Sequence, residues 1–147
     1  MIEIKNKQAL FNYTIEDTYE AGIVLTGTEI KSIRNGKAQL RDSYAVIKNG
    51  ECLLLNMHIS HYEKGNIFNH DENRTRKLLL HKKEIYKIKD KIDIKGYSLI
   101  PLKLYFKGNY AKILLGIGKG KKTYDKRESI KEKDINRDIK KALKQKY

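Results

Sequence analysis

The chain has 147 residues, with 32 Lys and Arg against 18 Asp and Glu, a formal net charge of +14. That length fits one domain burying about 70% of its unfolded surface without staples, and a single cysteine, Cys52, excludes an internal disulfide framework and a Cys-rich zinc site. The positive excess points to a polyanionic partner, nucleic acid before anionic membrane; AT-rich codon usage, visible in the abundant Lys, Ile, Asn and Tyr, is the competing source of the lysines.

In chain order, residues 1–7 carry no apolar segment of signal-peptide type, and the longest apolar run, Cys52-Leu53-Leu54-Leu55, is far below the ~18 residues of a membrane span. A cytoplasmic protein with no membrane partner is therefore expected. From Tyr13 to Leu25 the odd positions Tyr13, Ile15, Tyr19, Ala21, Ile23 and Leu25 are apolar or aromatic, whereas Thr14, Glu16, Thr18 and Glu20 are polar. This period of two predicts strand, with a break or bulge at Glu16-Asp17 that makes two strands. A short helix opens at Thr26 with Glu29 three residues on, the spacing of a capping box; Ile30 and Ile33 point inward and Asn35-Gly36 ends it. A hairpin of 43–48 and 51–59 turns at Asn49-Gly50, residues that tolerate the positive φ of a type I′ turn. A longer helix is expected from about Arg76, because Leu78, His81, Ile85, Ile88 and Ile92 keep a 3-4-3-4 spacing; Ile92-Asp93-Ile94 leaves its end open, and Gly96 closes it. Two strands, 97–107 and 110–118, then meet at Gly108-Asn109. Ile100, Leu102, Leu104 and Phe106 share one face, Ala111, Ile113, Leu115 and Ile117 share the partner's, and Pro101 marks an edge or bulge.

Antiparallel pairs on short turns, without βαβ alternation, predict a mainly β protein: a small antiparallel oligonucleotide-binding barrel over residues 1–118 with two to three helices. Residues 119–147 hold 12 basic and 5 acidic side chains, half of the net charge. Their only stripe, Ile130, Ile135, Ile139 and Leu143, buries too little to hold a helix alone, so this basic tail is expected to be disordered when free and helical when docked.

Catalytic motifs are missing. In Gly116-Ile117-Gly118-Lys119-Gly120-Lys121-Lys122-Thr123 a lysine stands where a phosphate loop needs glycine before Lys-[Ser/Thr], so a flexible basic hinge is the better reading. The histidines, His58, His61, His70 and His81, form no His-Glu-x-x-His, and no Gly-x-Ser-x-Gly turn supports a His70-Asp71 pair. No enzyme, metal or cofactor is expected.

Three segments together carry more than composition: Tyr19–Arg34 (YEAGIVLTGTEIKSIR), Arg74–His81 (RTRKLLLH) and Gly118–Arg127 (GKGKKTYDKR). In this order and spacing, with Asn6-Lys7, Asp42-Ser43-Tyr44, His70-Asp71 and Gly96-Tyr97, they closely resemble the small protein B family, over about residues 6–135. The resemblance implies an oligonucleotide-binding barrel that binds the tRNA-like domain of transfer-messenger RNA (SsrA) and delivers it to stalled ribosomes for trans-translation. It further implies 16S rRNA contacts, elongation factor Tu as a partner through the alanylated RNA, and action as a monomer without catalysis. A ribosomal or ribosome-assembly protein that binds rRNA is the alternative.

Carried over by motif, Glu20 contributes to RNA binding; its carboxylate can accept hydrogen bonds from base N–H groups. An ordinary exposed strand glutamate is the bland reading. Leu79 supports the same surface, with core packing as the rival, and Lys112 supplies a phosphate or sugar contact. Arg74, Arg76, Lys77, Lys119, Lys121 and Lys122 are candidate phosphate neighbours. Glu29, with Lys31, Ser32 and Arg34 on the short helix, is read first as a cap. In the tail, Gly120 resembles the family hinge, and Tyr124, Asp125, Lys126 and Arg127 align with the segment that enters the decoding centre, Tyr124 by stacking and the two cations on phosphate. Some relatives carry histidine at Tyr124. Ile130, Lys131 and Glu132 match the element before the helix in the mRNA channel, and Ile135 stands where relatives carry tryptophan.

Overall fold

The computed structural model describes residues 2–62 and 69–121. Its elements run β1 (Glu3–Lys5), α1 (Lys7–Asn12), β2 (Tyr13–Ile23), α2 (Gly27–Arg34), β3 (Ala38–Gln39), β4 (Tyr44–Lys48), β5 (Glu51–Leu55), β6 (His58–Ile59), β7 (Arg76–Leu79), α3 (Lys82–Ile92), β8 (Tyr97–Lys107) and β9 (Tyr110–Gly120). Six strands pair antiparallel in the ring β8-β4-β5-β7-β2-β9, which closes because β8 also pairs with β9; β1 adds beside β8, and β3 pairs with β6 in a separate ribbon. Closure removes the sheet edges that would otherwise template aggregation. The expected antiparallel barrel is thus present, with three helices among the described residues.

The core follows from alternation. Ala21 and Ile23 of β2, Cys52 and Leu54 of β5, Leu78 of β7, Leu99 and Leu104 of β8, and Ile113, Leu115 and Ile117 of β9 are buried together with Ile33 of α2 and Ile88 of α3. Full burial of each large apolar side chain stabilises the fold by roughly 1.5–3 kcal/mol. The Asn49-Gly50 turn has positive φ at both residues, 53° and 75°, and pairs Lys48 with Glu51 as a type I′ hairpin requires.

Several expectations change in the tertiary context. Arg76–Leu79 is strand, not the start of the helix: Arg76 and Leu78 are buried while Lys77 and Leu79 are exposed, a period of two that lets β7 fill the gap between β5 and β2. The helix begins at Lys82, where the Glu84 carboxylate accepts the His81 amide (3.2 Å), and ends at Ile92 with Asp93 as its C-cap. Ile85, Ile88 and Ile92 keep their stripe; the spacing of Leu78 was a coincidence of a strand that abuts a helix. β2 is one strand with a bulge between Ile15 and Asp17, because β9 pairs with it on both sides of the irregularity. The 51–59 segment is not one strand either: Asn56 takes a φ of 62°, shifting the inward phase from Cys52 and Leu54 to Met57 and Ile59. In β8 a bulge between Pro101 and Lys103 breaks the expected face, so Leu99, Ile100 and Leu104 are buried whereas Leu102 and Phe106 are half-buried. Ile33 is fully buried but Ile30 only half.

The glycine-rich stretch belongs to the ladder rather than to a hinge. β9 continues two residues past position 118, Gly118 pairing with Ile15 and Gly120 with Tyr13. A Cβ on Gly116 would lie 2.8 Å from Leu102 Cδ1, and one on Gly118 2.9 Å from Ile15 Cδ1. These glycines let Ile15 and Leu102 cross the sheet surface.

Candidate nucleic-acid interface

Strand register, rather than any one motif, assembles the candidate face. Tyr105 of β8 stands opposite Lys112 of β9, Lys112 opposite Gly22 of β2, and Gly22 opposite Leu79 of β7. One row therefore crosses four strands on the outside of the barrel, since Ala21, Leu78 and Ile113 point inward. The adjacent row runs Lys103, Leu114, Glu20.

Glu20 reaches across β9 to this first row. Its Oε2 accepts the Tyr105 hydroxyl and its Oε1 lies 3.5 Å from Lys107 Nζ. The Tyr105 hydrogen bond, helped by Lys107 and Lys112, holds the Glu20 carboxyl below its ordinary pKa. Burial and the neighbouring carboxylate push the Tyr105 hydroxyl up to about 12, and Lys103 Nζ sits 5.3 Å from the Tyr105 ring centroid. A charged acceptor thus stays ionised at neutral pH between cations, an arrangement able to accept base N–H groups while the lysines meet phosphate. Leu79 is 52% exposed. It lies over Gly22, where an added Cβ would come within 3.3 Å of Leu79 Cβ; the missing side chain on β2 seats the leucine. Lys77 shares the face one alternation along β7 and lies 3.5 Å from Glu51.

Other candidates separate from this cluster. Arg76 is fully buried and unavailable to phosphate: Nε donates to Glu29 Oε2 (2.5 Å) and Nη1 to the Met57 carbonyl (2.6 Å). Its motif match reflects a buried ion pair, for which an arginine in a basic chain offers no sequence signal. Arg74, partly exposed, donates through Nη2 to Glu29 Oε1 (2.6 Å) and to the Val24 carbonyl (3.2 Å). Glu29 also accepts the Thr26 amide (2.8 Å), completing the expected capping box, so it is both cap and buried counterion. Burial alone would raise its pKa; the Arg74, Thr26 and Arg76 bonds outweigh that and leave it lowered. Ser32 donates to the Ser60 carbonyl (2.7 Å), Lys31 sits 5.5 Å from the Tyr62 ring and Arg34 5.0 Å from that of Phe106. His70 is buried, its ring nitrogens held by Thr28 Oγ1 (2.9 Å) and the Ile59 carbonyl (2.8 Å), a structural arrangement.

Lys119 and Lys121 lie at the opposite end of the barrel. Seven residues of β9 separate Lys119 from Lys112, about 23 Å at 3.3 Å per residue, and the Lys121 amide donates to the Asn12 carbonyl (2.8 Å) at the end of α1. Lys122, Tyr124, Asp125, Lys126, Arg127, Ile130, Lys131 and Glu132 lie outside the described residues. The sequence reading missed Gly22, Leu114, Tyr105 and Lys107. The Gly108-Asn109 turn already sets Tyr105 opposite Lys112; the link to Glu20 needed the tertiary fold.

Among the described residues no group of three or more His, Cys, Asp and Glu is placed to hold a metal, and no helix is long and apolar enough to cross a membrane. The fold and this face define a small antiparallel barrel with a mixed basic, acidic and aromatic sheet surface of the kind that contacts nucleic acid. The chain belongs to the SmpB family, whose model matches residues 3–145. It is 59% identical over 143 residues to the SsrA-binding protein of Staphylococcus aureus strain Newman, covering 97% of this chain and 93% of that protein, and 58% identical with the same coverage to that of strain JH1. A similar solved chain comes from a structure described as "tmRNA-SmpB: a journey to the center of the bacterial ribosome", with a TM-score of 0.71, 46% identity, and 93% of this chain and 96% of that one covered.

Proposed function

We propose that this protein binds the tRNA-like domain of transfer-messenger RNA through the Tyr105–Lys112–Gly22–Leu79 row with Glu20, and delivers that RNA to stalled ribosomes for trans-translation. The observation that carries the reading is the convergence of Glu20, Leu79 and Lys112, three positions matched separately to the family, onto one outer face by strand register. Glu20 accepts base N–H groups, Lys112 and Lys107 meet the backbone, and Leu79 rests against a base. The protein performs no chemistry; it binds and positions RNA, in the cytoplasm, as a monomer, and meets elongation factor Tu only through the alanylated RNA.

The tail is assigned to the ribosome. Tyr124 stacks on an rRNA base of the decoding centre, Lys126 and Arg127 bind 16S phosphates near Asp125, and Ile130, Lys131 and Glu132 lead into the mRNA channel. The separation of Lys119 and Lys121 from the Glu20 face supports this division, because the chain leaves β9 after Gly120, at the end of the β2–β9 ladder opposite the RNA row.

RNA captured with the full-length protein from cells tests the first part: transfer-messenger RNA in stoichiometric amount is expected, and rRNA without it would support an rRNA-binding ribosomal protein instead. Truncation after Lys121, which preserves the β9 ladder, should leave RNA binding nearly intact and abolish peptide tagging. Loss of both would place the tail within the RNA site.

A further inference from the structure

The most exposed large apolar side chain among those described is not in any of the matched motifs. Tyr110 opens β9 and is 74% exposed. It stands opposite Lys107 across a two-residue turn in which Gly108 takes a φ of 63°, the positive first position of a type II′ hairpin. Ala111 beside it is buried and Lys112 points outward, so Tyr110 shares the outer face with Lys112, Tyr105 and Glu20. Its phenol makes no hydrogen bond, ion pair or ring contact among the described residues, whereas Tyr105 on the same face is engaged by both Glu20 and Lys103.

Resting on the function proposed above, we propose that Tyr110 is a stacking platform for an unpaired base of the bound RNA, a subsite that extends the Glu20–Lys112 face to the tip of the β8–β9 hairpin. An exposed ring serves this purpose when it is rigidly aimed and flanked by cations, because base faces stack on it irrespective of sequence while neighbouring lysines hold the backbone. The tight turn and the Lys107–Tyr110 pairing provide the aim; Lys107 and Lys112 provide the cations. The tyrosine hydroxyl is not needed, and neither is charge on the ring. Tyr110 therefore contributes affinity without contributing to its salt dependence, unlike Lys112.

The test measures binding of the full-length protein to the isolated tRNA-like RNA across salt concentrations, with Tyr110→Ala, Tyr110→Leu, Tyr110→Phe and Lys112→Glu, after thermal unfolding has shown each to be folded. Stacking predicts that Tyr110→Ala and Tyr110→Leu weaken binding about five- to hundredfold with the slope of log K against log salt unchanged, and that Tyr110→Phe binds as the unaltered protein does. The subsite is overturned if Tyr110→Ala binds within about twofold of the unaltered protein while Lys112→Glu binds more weakly, a result that leaves the proposed RNA face standing. It is also overturned if Tyr110→Leu is as good as tyrosine, since an apolar contact then suffices. Failure of the unaltered protein to bind the RNA would instead refute the functional reading on which the subsite rests.

Discussion

Replacing Arg76 with methionine tests the buried charge network that ties α2 to β7. The side chain is 0% exposed, as is that of Glu29, and it donates to Glu29 Oε2 at 2.5 Å, to the Met57 carbonyl at 2.6 Å and to the Glu72 carbonyl at 3.2 Å. Methionine fills much of the volume but removes these bonds and a longer one to the Asp71 carbonyl (3.5 Å), leaving Glu29 with Arg74 and the Thr26 amide and leaving three carbonyls short of a donor. Breaking one partner out of a buried pair costs about 3–5 kcal/mol, which for a body of this size lowers Tm by on the order of 10–20 °C. Urea and thermal unfolding of the full-length chain, followed by circular dichroism, measure it. Glu29→Gln should cost a comparable amount: its amide oxygen can still accept from Arg74 and Thr26, but its NH2 then faces Arg76 Nε and the buried guanidinium loses its counterion. The double variant should be more stable than the sum of the two losses by at least about 1 kcal/mol. The sign of the pH dependence follows from Glu29: its folded pKa lies below the ordinary 4.5, so its stabilisation is complete above that ordinary value and is lost as pH falls through the lower folded one. Glu29→Gln should flatten this acid limb. Arg76→Met within about 1 kcal/mol of the unaltered protein, or strict additivity in the double variant, would refute the account.

Three further outcomes are expected. Lys112→Glu should weaken RNA binding and flatten its log–log salt dependence by about one unit or less; an unchanged slope in a salt titration removes Lys112 from the phosphate contacts. Gly22→Val places a Cβ within 3.3 Å of Leu79 Cβ and should weaken RNA binding roughly three- to tenfold by displacing Leu79, so undiminished affinity would show that Leu79 does not touch the RNA. Gly116→Ala inserts a methyl 2.8 Å from Leu102 Cδ1 and 3.2 Å from Ile15 Cγ2, overpacking the β2–β9 surface at a cost of about 1–3 kcal/mol; denaturant unfolding with no loss would mean that the glycine is not there for packing.

What the sequence determined by itself was whatever local chemistry specifies. The Asn49-Gly50 turn, the Thr26–Glu29 capping box, the outward placement of Glu20 and Lys112 and the inward run Ala111, Ile113, Leu115, Ile117 follow from φ preference, cap hydrogen bonding and a period of two. Those features, with the ordered motifs, led to the barrel and to its family. Tertiary structure decided what depends on partners distant in the chain. Arg76–Leu79 became strand because β2 and β5 offered it ladders on both sides, overriding a helical spacing of apolar residues. Arg76 left the set of phosphate contacts because Glu29, 47 positions away, neutralises it in the core. In the hinge-like stretch Gly116 and Gly118 are ladder residues with Leu102 and Ile15 lying over them, and Gly120 pairs with Tyr13. The joining of Glu20 to Tyr105, 85 positions apart, was likewise out of reach, because a register across three strands is set by barrel closure and not by any one segment.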